Sequence, residues 1–213
     1  MSLSLFWSCD DIFLPCDVEI LGDCYSIEYT TKINLTSKEL TTIPKEIFLL
    51  KNLTSLSLSY NNLIEIPAKI TSLTKLEYLY LNDNQINKME YSLSELSELK
   101  FLNLSKNQIN GILEDAVCFL VDNNCYINLR SNKIETPLPP CINENIDITA
   151  SLFGEEYSIN NTTKIINPDY ALNDTIPKAI ELFINLEYLV LNGDLSGSIP
   201  KEIGNLTKLT YLS

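Results

Sequence analysis

Residues 53–67 read Leu53-Thr-Ser-Leu56-Ser-Leu58-Ser-Tyr-Asn61-Asn-Leu63-Ile-Glu-Ile66-Pro67, which is the pattern L-x-x-L-x-L-x-x-N-x-L-x-x-I-P. Its central part recurs without gaps in three more places, so that four equivalent positions follow one another at intervals of 23 residues: Lys38, Asn61, Asn84 and Asn107. A fixed interval of this length is the sequence signature of a solenoid built from small stacked units. The chain of 213 residues has room for roughly eight of them.

Each position of the repeat has a physical interpretation. Leu56 and Leu58 alternate with polar residues, which predicts a short strand that sends both leucines to one face. Asn61 follows the strand, where its amide can bond backbone groups that the turning chain leaves unpaired. The pair Ile66-Pro67 begins the return stretch, because proline suits a position outside a hydrogen-bonded ladder. One repeat cannot bury its own apolar face, so stacked neighbours must supply the core.

This pattern resembles the leucine-rich-repeat family. The resemblance implies an α/β solenoid shaped as a curved right-handed horseshoe, with short parallel strands on the concave face and irregular, 3-10 or short helical segments on the convex face. The 23-residue units are similar to the Ras-group type of repeat. A second form, Leu195-Ser-Gly-Ser-Ile199-Pro200, resembles the repeats of plant receptors.

Four regions follow from the pattern. Residues 1–28 lack the repeat and are expected to form a cysteine-containing N-terminal cap, and residues 29–140 hold regular repeats. Residues 141–170 are expected to be an irregular repeat or a bulging loop around Gly154–Asn167, because Pro168 falls where a strand leucine is expected. Residues 171–213 return to the repeat without a C-terminal cap. We therefore expect the natural protein to continue beyond Ser213, or the gene product to be incomplete.

Composition and missing motifs narrow the functional classes. A net charge of −13 repels phosphate backbones, so we expect no nucleic-acid partner. No apolar run reaches the ~18 residues that a membrane span requires. The chain has no histidine, no glycine-rich phosphate loop and no G-x-S-x-G turn. With neither histidine nor a C-x-x-C pair, a metal site is also not expected. We therefore predict a non-catalytic protein without a cofactor.

The six cysteines fall into two clusters, Cys9/Cys16/Cys24 and Cys118/Cys125/Cys141. Disulfides are expected if the protein is secreted, whereas reduced core cysteines would indicate a cytoplasmic protein. Strands stack about 4.8 Å apart, so Cys24 and Cys125 should lie roughly 20 Å from each other. A disulfide tolerates about 7 Å between Cα atoms. One cysteine of each cluster should therefore be free, or pair with a residue outside this chain.

Seven asparagines stand in N-x-S/T sequons, and four of them are candidate glycosylation sites: Asn52, Asn161, Asn173 and Asn205. The other three are Asn34, Asn103 and Asn160. Asn34 and Asn103 are predicted to project from the concave face, where a glycan would obstruct binding. Because the repeat consensus itself contains N-L-T or N-L-S, the sequons are only weak support for secretion.

The solvent-facing strand positions are candidates for ligand binding. The residue before the central leucine gives one column, namely Lys32, Ser55, Tyr78, Phe101, Tyr126, Tyr188 and Tyr211. Exposed, clustered aromatic side chains are typical interface anchors. The candidate set therefore centres on this column and its neighbours: Tyr60, Tyr78, Tyr80, Phe101, Asn103, Lys106, Tyr126, Asn128 and Arg130. The alternative is that tyrosine here only follows the repeat consensus.

Together these features predict a recognition module, extracellular or on the cell surface, that binds a protein, peptide or glycan on its concave face. Two alternatives remain. One is an intracellular, cytoplasmic signalling scaffold of the Ras-group kind. The other is the sensor portion of a larger receptor kinase.

Overall fold

The computed structural model of the chain describes residues 16–87, 93–110, 114–134, 138, 141, 145–167, 175–193 and 197–213. The described residues include thirteen short strands, namely Val18–Ile20 (β1), Asp23–Tyr25 (β2), Lys32–Asn34 (β3), Ser55–Ser57 (β4), Tyr78–Tyr80 (β5), Phe101–Asn103 (β6), Tyr126–Asn128 (β7), Ile146–Asp147 (β8), Thr149–Leu152 (β9), Glu155–Ser158 (β10), Lys164–Asn167 (β11), Tyr188–Leu191 (β12) and Tyr211–Leu212 (β13). One α-helix, Glu114–Asp122 (α1), lies between β6 and β7.

The strands β3 to β8 form one parallel sheet in sequence order, which confirms the predicted solenoid. Equivalent residues of neighbouring repeats pair directly, so Leu56 lies between Ile33 and Leu79. All three are buried. The same alignment continues through the remaining strands, since each repeat places its central apolar residue in one column. From β3 to β6 the 23-residue interval of the sequence is therefore the register of the sheet, whereas β6 and β7 pair across 25 residues and β7 and β8 across 19.

The return stretches lie on the other side of the core and are mostly 3-10 helices, at Lys45–Leu49, Ala68–Ser72, Lys178–Leu182 and Lys201–Asn205. Each begins directly after a proline, such as Pro67 before the second one. Proline holds an extended conformation there and has no N–H that a ladder would need. Ile70, Leu73 and Leu76 are fully buried, as the pattern predicted.

Asparagines follow the strands β4 to β7, and the first three of them, Asn61, Asn84 and Asn107, are buried. The Asn61 side-chain nitrogen donates to the carbonyls of Leu35 and Leu58, both at 2.8 Å. Its oxygen accepts the backbone N–H groups of Lys38 and Leu40 at 2.9 and 3.0 Å. Asn84, Asn107 and Asn132 repeat this arrangement one unit further along. The predicted role of Asn61 is confirmed, and each amide links two successive repeats.

The segment expected to be an N-terminal cap contains an antiparallel hairpin of β1 and β2. A disulfide between Cys16 and Cys24 closes the hairpin. Val18 and Ile20 face the core and belong to the same apolar cluster as the repeats. The hairpin therefore shares its apolar core with the first repeats.

In the segment 141–170 the repeat is irregular, which was one of the two alternatives expected there. After β8 the chain forms an antiparallel hairpin of β9 and β10. It then enters β11, which starts a second parallel sheet with β12 and β13. The alternative of a bulging loop reached as far as Asn167, but Lys164–Asn167 form this strand, because Ile165 is fully buried opposite Leu189. Asn167 pairs with Leu191, so the alignment is shifted by one residue from the one that placed Pro168 in the strand. Pro168 itself lies outside the described residues.

Candidate ligand-binding surface

The outward side chains of the first sheet form two columns. Tyr78 pairs with Phe101 and Phe101 with Tyr126, which places the three rings in one row across adjacent strands. The second column runs through Tyr80 and its partner Asn103. Both columns lie where the alternation of side chains predicted them.

The rings touch one another. The Tyr80 and Phe101 ring centroids are 5.4 Å apart and tilted by 45°. Phe101 and Tyr126 stack at 5.8 Å with an interplanar angle of 7°. Tyr78 and Tyr126 remain 38% exposed despite these neighbours. We call Tyr78, Tyr80, Phe101 and Tyr126 the aromatic row. Contacts between the rings of Tyr80, Phe101 and Tyr126 hold these three side chains in place, so a ligand would meet a surface that is already largely ordered.

Amide groups stand beside the row. The Asn103 side-chain oxygen accepts the backbone N–H and the hydroxyl of Ser105 at 3.1 and 2.8 Å. The Asn128 side-chain oxygen accepts the backbone N–H of Arg130 at 3.1 Å. These bonds orient both carboxamides. They leave the NH₂ groups as donors at the edge of the row.

The charged residues near the row are paired with one another. Lys106 lies 3.4 Å from Asp83, and one nitrogen of Arg130 lies 3.7 Å from Asp147. Both cationic side chains are more than half exposed, so each contact contributes little to stability. The cations are partly neutralised in place. Lys106 and Arg130 therefore add little net positive charge to the surface, and they do not form a patch that would attract a polyanion.

Tyr126 shares the Asp147 carboxylate with Arg130. Its hydroxyl lies 3.5 Å from the same oxygen of Asp147. Burial is the main reason that the pKa of Tyr126 lies above its usual value, and the negative charge of Asp147 acts in the same direction. Tyr126 is thus neutral at physiological pH and offers a hydroxyl at the end of the row.

Tyr60 and Lys106 have a backbone feature that the sequence did not reveal. Both lie in the left-handed region, with φ of 56° and 53°. Equivalent residues of three other repeats do the same, namely Ser37, Asp83 and Ser131. The sequence indicates this conformation only through the position in the repeat. Each residue directly precedes Lys38 or one of the four equivalent asparagines. Tyr60 is 55% exposed, yet it is not among the ring contacts of the aromatic row.

A second aromatic pair lies on the second sheet. Tyr188 and Tyr211 stack with their centroids 5.8 Å apart. They occupy the corresponding outward column of the second sheet, directly before the inward residues Leu189 and Leu212, as the sequence predicted. Ile166 and Val190 pair beside them in the neighbouring outward column. The two sheets are not continuous at β8, so this pair is separate from the aromatic row.

In the second cluster, one free cysteine is confirmed. Cys118 on α1 forms a disulfide with Cys141, and Cys125 is a buried thiol. Burial raises the pKa of Cys125 to about 12. In the first cluster Cys16 pairs with Cys24, while Cys9 lies outside the described residues. The candidate glycosylation site Asn173 also lies outside them.

No helix in the described residues is both long and apolar enough to cross a membrane. Nor does this part of the chain bring three His, Cys, Asp or Glu side chains together in a way that could hold a metal ion.

Comparison with known proteins identifies the repeat. The family model described as leucine rich repeat matches residues 29–86 and 67–109. No curated protein matches the chain. Among solved structures, internalin C2 of Listeria monocytogenes is 24% identical, with 56% of this chain and 51% of that chain covered and a TM-score of 0.45. The BIR2 ectodomain of Arabidopsis thaliana is 25% identical, with 51% and 58% covered and a TM-score of 0.45. A leucine-rich-repeat protein of Leptospira interrogans is 25% identical, with 87% and 55% covered and a TM-score of 0.44. The chain thus spans between half and three fifths of the length of these structures.

Proposed function

Because residues 29–109 belong to the leucine-rich-repeat family, we propose that the chain is a non-catalytic recognition module that binds a protein or peptide through the aromatic row. The aromatic row is the observation that carries the proposal. Three of its rings, those of Tyr80, Phe101 and Tyr126, are in mutual contact, Tyr78 and Tyr126 remain 38% exposed, and the strands that carry the row have their inward residues buried in the core. Rigid aromatic anchors supply large contact area at low entropic cost, which is why they dominate protein interfaces.

The surroundings of the row support a neutral or mixed ligand surface. Its cations already have carboxylate partners, and its amides present N–H donors beside the rings. Extended polypeptides offer backbone carbonyls for such donors and apolar side chains for the rings. A glycan would use the same donors and rings, and it is the alternative that the test below distinguishes.

The experiment compares Phe101→Ala with Ser55→Ala. Ser55 lies in the same outward column but outside the aromatic row, so its substitution is a matched control. Random peptides displayed on phage are selected on the wild-type protein, and a glycan array is probed in parallel. We expect the selected peptides to bind Ser55→Ala normally. Binding to Phe101→Ala should fall by about 2 kcal/mol, or roughly 30-fold in Kd.

Phe101→Ala should remain folded. It removes two ring contacts, which costs about 1–2 kcal/mol, and this is less than the roughly 5–15 kcal/mol that a domain has available. Circular dichroism and an unfolding curve check this point. Equal binding to all three proteins would refute the aromatic row as the binding centre. Binding to the glycan array alone would replace the polypeptide ligand with a carbohydrate.

We propose further that the protein acts outside the cell or at its surface. Two disulfides support this location, because thiols in the cytoplasm are kept reduced. This location is tested by isolating the protein from its natural source, denaturing it and titrating its free thiols. At most two of the six cysteines, Cys9 and Cys125, should react. Six free thiols would contradict an extracellular location and favour the cytoplasmic scaffold instead.

A further inference from the structure

Two sequons overlap in the turn between β10 and β11. Asn160-Asn161-Thr162 offers Asn160 as an acceptor, and Asn161-Thr162-Thr163 offers Asn161. The sequence motif alone does not rank the two. Their side chains, however, have different roles in the fold.

The Asn160 side chain is part of the seam between the two sheets. Its Nδ2 group donates to the backbone carbonyl of Ile146 in β8. Its own backbone carbonyl accepts the Nδ2 group of Asn185 at 2.8 Å. Asn160 is half-buried, so a pyranose bonded to Nδ2 would have to lie against the backbone of β8.

Asn161 has no such role. Its side chain is exposed and makes no hydrogen bond within the described part of the chain. The turn that presents it is held by the backbone instead, since the Thr162 N–H donates to the Ser158 carbonyl at 3.1 Å. A substituent on Asn161 Nδ2 would extend into solvent without breaking a contact.

The same contrast separates two other sequons. Asn52 is half-buried, and its Nδ2 group donates to the Glu28 carbonyl at 2.9 Å. Asn205 is exposed, and its Nδ2 group meets only the carboxylate of Glu181, a flexible side chain, at 3.2 Å. The side-chain amides of Asn160 and Asn52 are therefore bonded to the backbone, whereas those of Asn161 and Asn205 are exposed.

We infer that Asn161 carries an N-linked oligosaccharide and that the adjacent Asn160 does not. The inference rests on the proposed extracellular location. The oligosaccharide is transferred from a lipid-linked diphosphate donor by the glycosyltransferase of the secretory pathway. A bond forms between Asn161 Nδ2 and C1 of the first sugar, and the bond between C1 and the diphosphate oxygen breaks. Nδ2 loses one proton, and the lipid diphosphate leaves.

The position of Asn161 is compatible with ligand binding. It precedes Lys164, the first residue of β11, and lies outside the outward columns of both sheets. A glycan on Asn161 would extend from the turn before β11 and leave the aromatic row accessible. A glycan on Asn34 or Asn103 would instead stand among the outward side chains of the first sheet.

Two threonine variants separate the overlapping sequons. Thr163→Ala removes the Asn161 sequon and keeps that of Asn160, whereas Thr162→Ala does the reverse. The chain is expressed behind a supplied signal peptide in a eukaryotic secretory host. The secreted protein is deglycosylated enzymatically in water labelled with heavy oxygen, which converts each glycosylated Asn to a labelled Asp. Mass spectrometry of the peptide across residues 160–163 then locates the label.

We expect the label on residue 161 in the wild-type protein and in Thr162→Ala, and no label in this peptide of Thr163→Ala. Label on residue 160 of secreted wild-type or Thr163→Ala protein would overturn the inference. An unmodified Asn161 in the secreted wild-type protein would do the same. The supplied signal peptide makes this result independent of the natural location. If the native protein proves cytoplasmic, thiol titration would reveal that separately.

Discussion

The side chains of Asn61, Asn84, Asn107 and Asn132 link neighbouring repeats, and we call them the asparagine ladder. Asn61→Ala tests its contribution to stability. The side chain forms four hydrogen bonds of 2.8–3.0 Å with backbone groups of two successive repeats. Each such bond contributes about 1 kcal/mol, and a buried group left without its partner costs about 1–3 kcal/mol. The carbonyls belong to the buried Leu35 and Leu58, while water can reach the N–H groups of Lys38 and Leu40 more easily. We therefore expect a loss of about 3 kcal/mol in the free energy of unfolding.

The neighbouring residue supplies the control. Asn62 is exposed, and its side chain forms one exposed hydrogen bond, from Gln85 at 3.1 Å. Asn62→Ala is the same chemical change one position along, and it should cost less than about 0.5 kcal/mol.

Urea unfolding measures both variants. Because a solenoid can unfold one part at a time, hydrogen exchange of the Lys38 and Leu40 amides gives a local readout. These amides should lose protection in Asn61→Ala and keep it in Asn62→Ala. Equal losses of stability below about 1 kcal/mol in the two variants would refute the role assigned to the ladder.

Three further predictions concern the cysteines and Tyr126. Replacing Cys118 and Cys141 together by alanine removes a disulfide between residues 23 positions apart and so frees the unfolded chain. The free energy of unfolding should fall by about 3 kcal/mol, and an unchanged urea midpoint would contradict this. Because burial raises the pKa of Cys125 to about 12, this thiol should resist iodoacetamide in the native protein at mildly alkaline pH and react only on unfolding; rapid alkylation of Cys125 in the native protein, located by peptide mass spectrometry, would count against it. Because burial first, and Asp147 second, raise the pKa of Tyr126, its stabilising contribution is complete below the usual tyrosine pKa and is lost as pH rises through the folded value. Asp147→Asn should lower that pKa in an absorbance titration, and an unchanged titration would exclude Asp147 as a cause.

The regular repeats could be predicted from the sequence because one interval determines several structural properties together. Twenty-three residues separate Leu56 from Leu79, and the two residues pair directly in the sheet. Once the inward leucines are assigned, alternation along the strand determines the outward residues. For that reason Tyr78, Phe101 and Tyr126 could be placed in one row without a structure.

The seam could not be predicted in the same way. Only 18 residues separate the starts of β8 and β11, so the 23-residue interval does not apply. The shorter repeat replaces the 3-10 segment with a hairpin, whose turn has Phe153 and Gly154 at φ of 56° and 82°. A glycine between short alternating stretches is a weak signal for such a turn. Pairing across the seam depends on the side chain of Asn160, which no periodicity specifies.

The positive φ angles at Tyr60, Lys106 and their equivalents in other repeats could not be predicted, for a different reason. Glycine and asparagine are the usual residues at positive φ, but Tyr60, Asp83 and Lys106 occupy these positions. Their conformation is imposed by the next repeat. The N–H of Tyr60, for example, donates to the carbonyl of Asn82 at 3.0 Å. The cause lies in the stacking of repeats, so the identity of the residue carries almost no signal.

The two faces of the first sheet place different demands on the sequence. The inward column is uniformly aliphatic, because every member must fill the core. The outward column runs from Lys32 through Ser55 to Tyr78, Phe101 and Tyr126, with no shared size or polarity. Folding therefore tolerates serine as well as tyrosine there, and burial does not require an aromatic ring. Ring contacts across strands contribute to stability, yet the exposure that Tyr78 and Tyr126 retain is unfavourable for a protein without a partner. The proposed function accounts for this cost through ligand binding, and it predicts that Phe101→Ala weakens recognition while the protein stays folded.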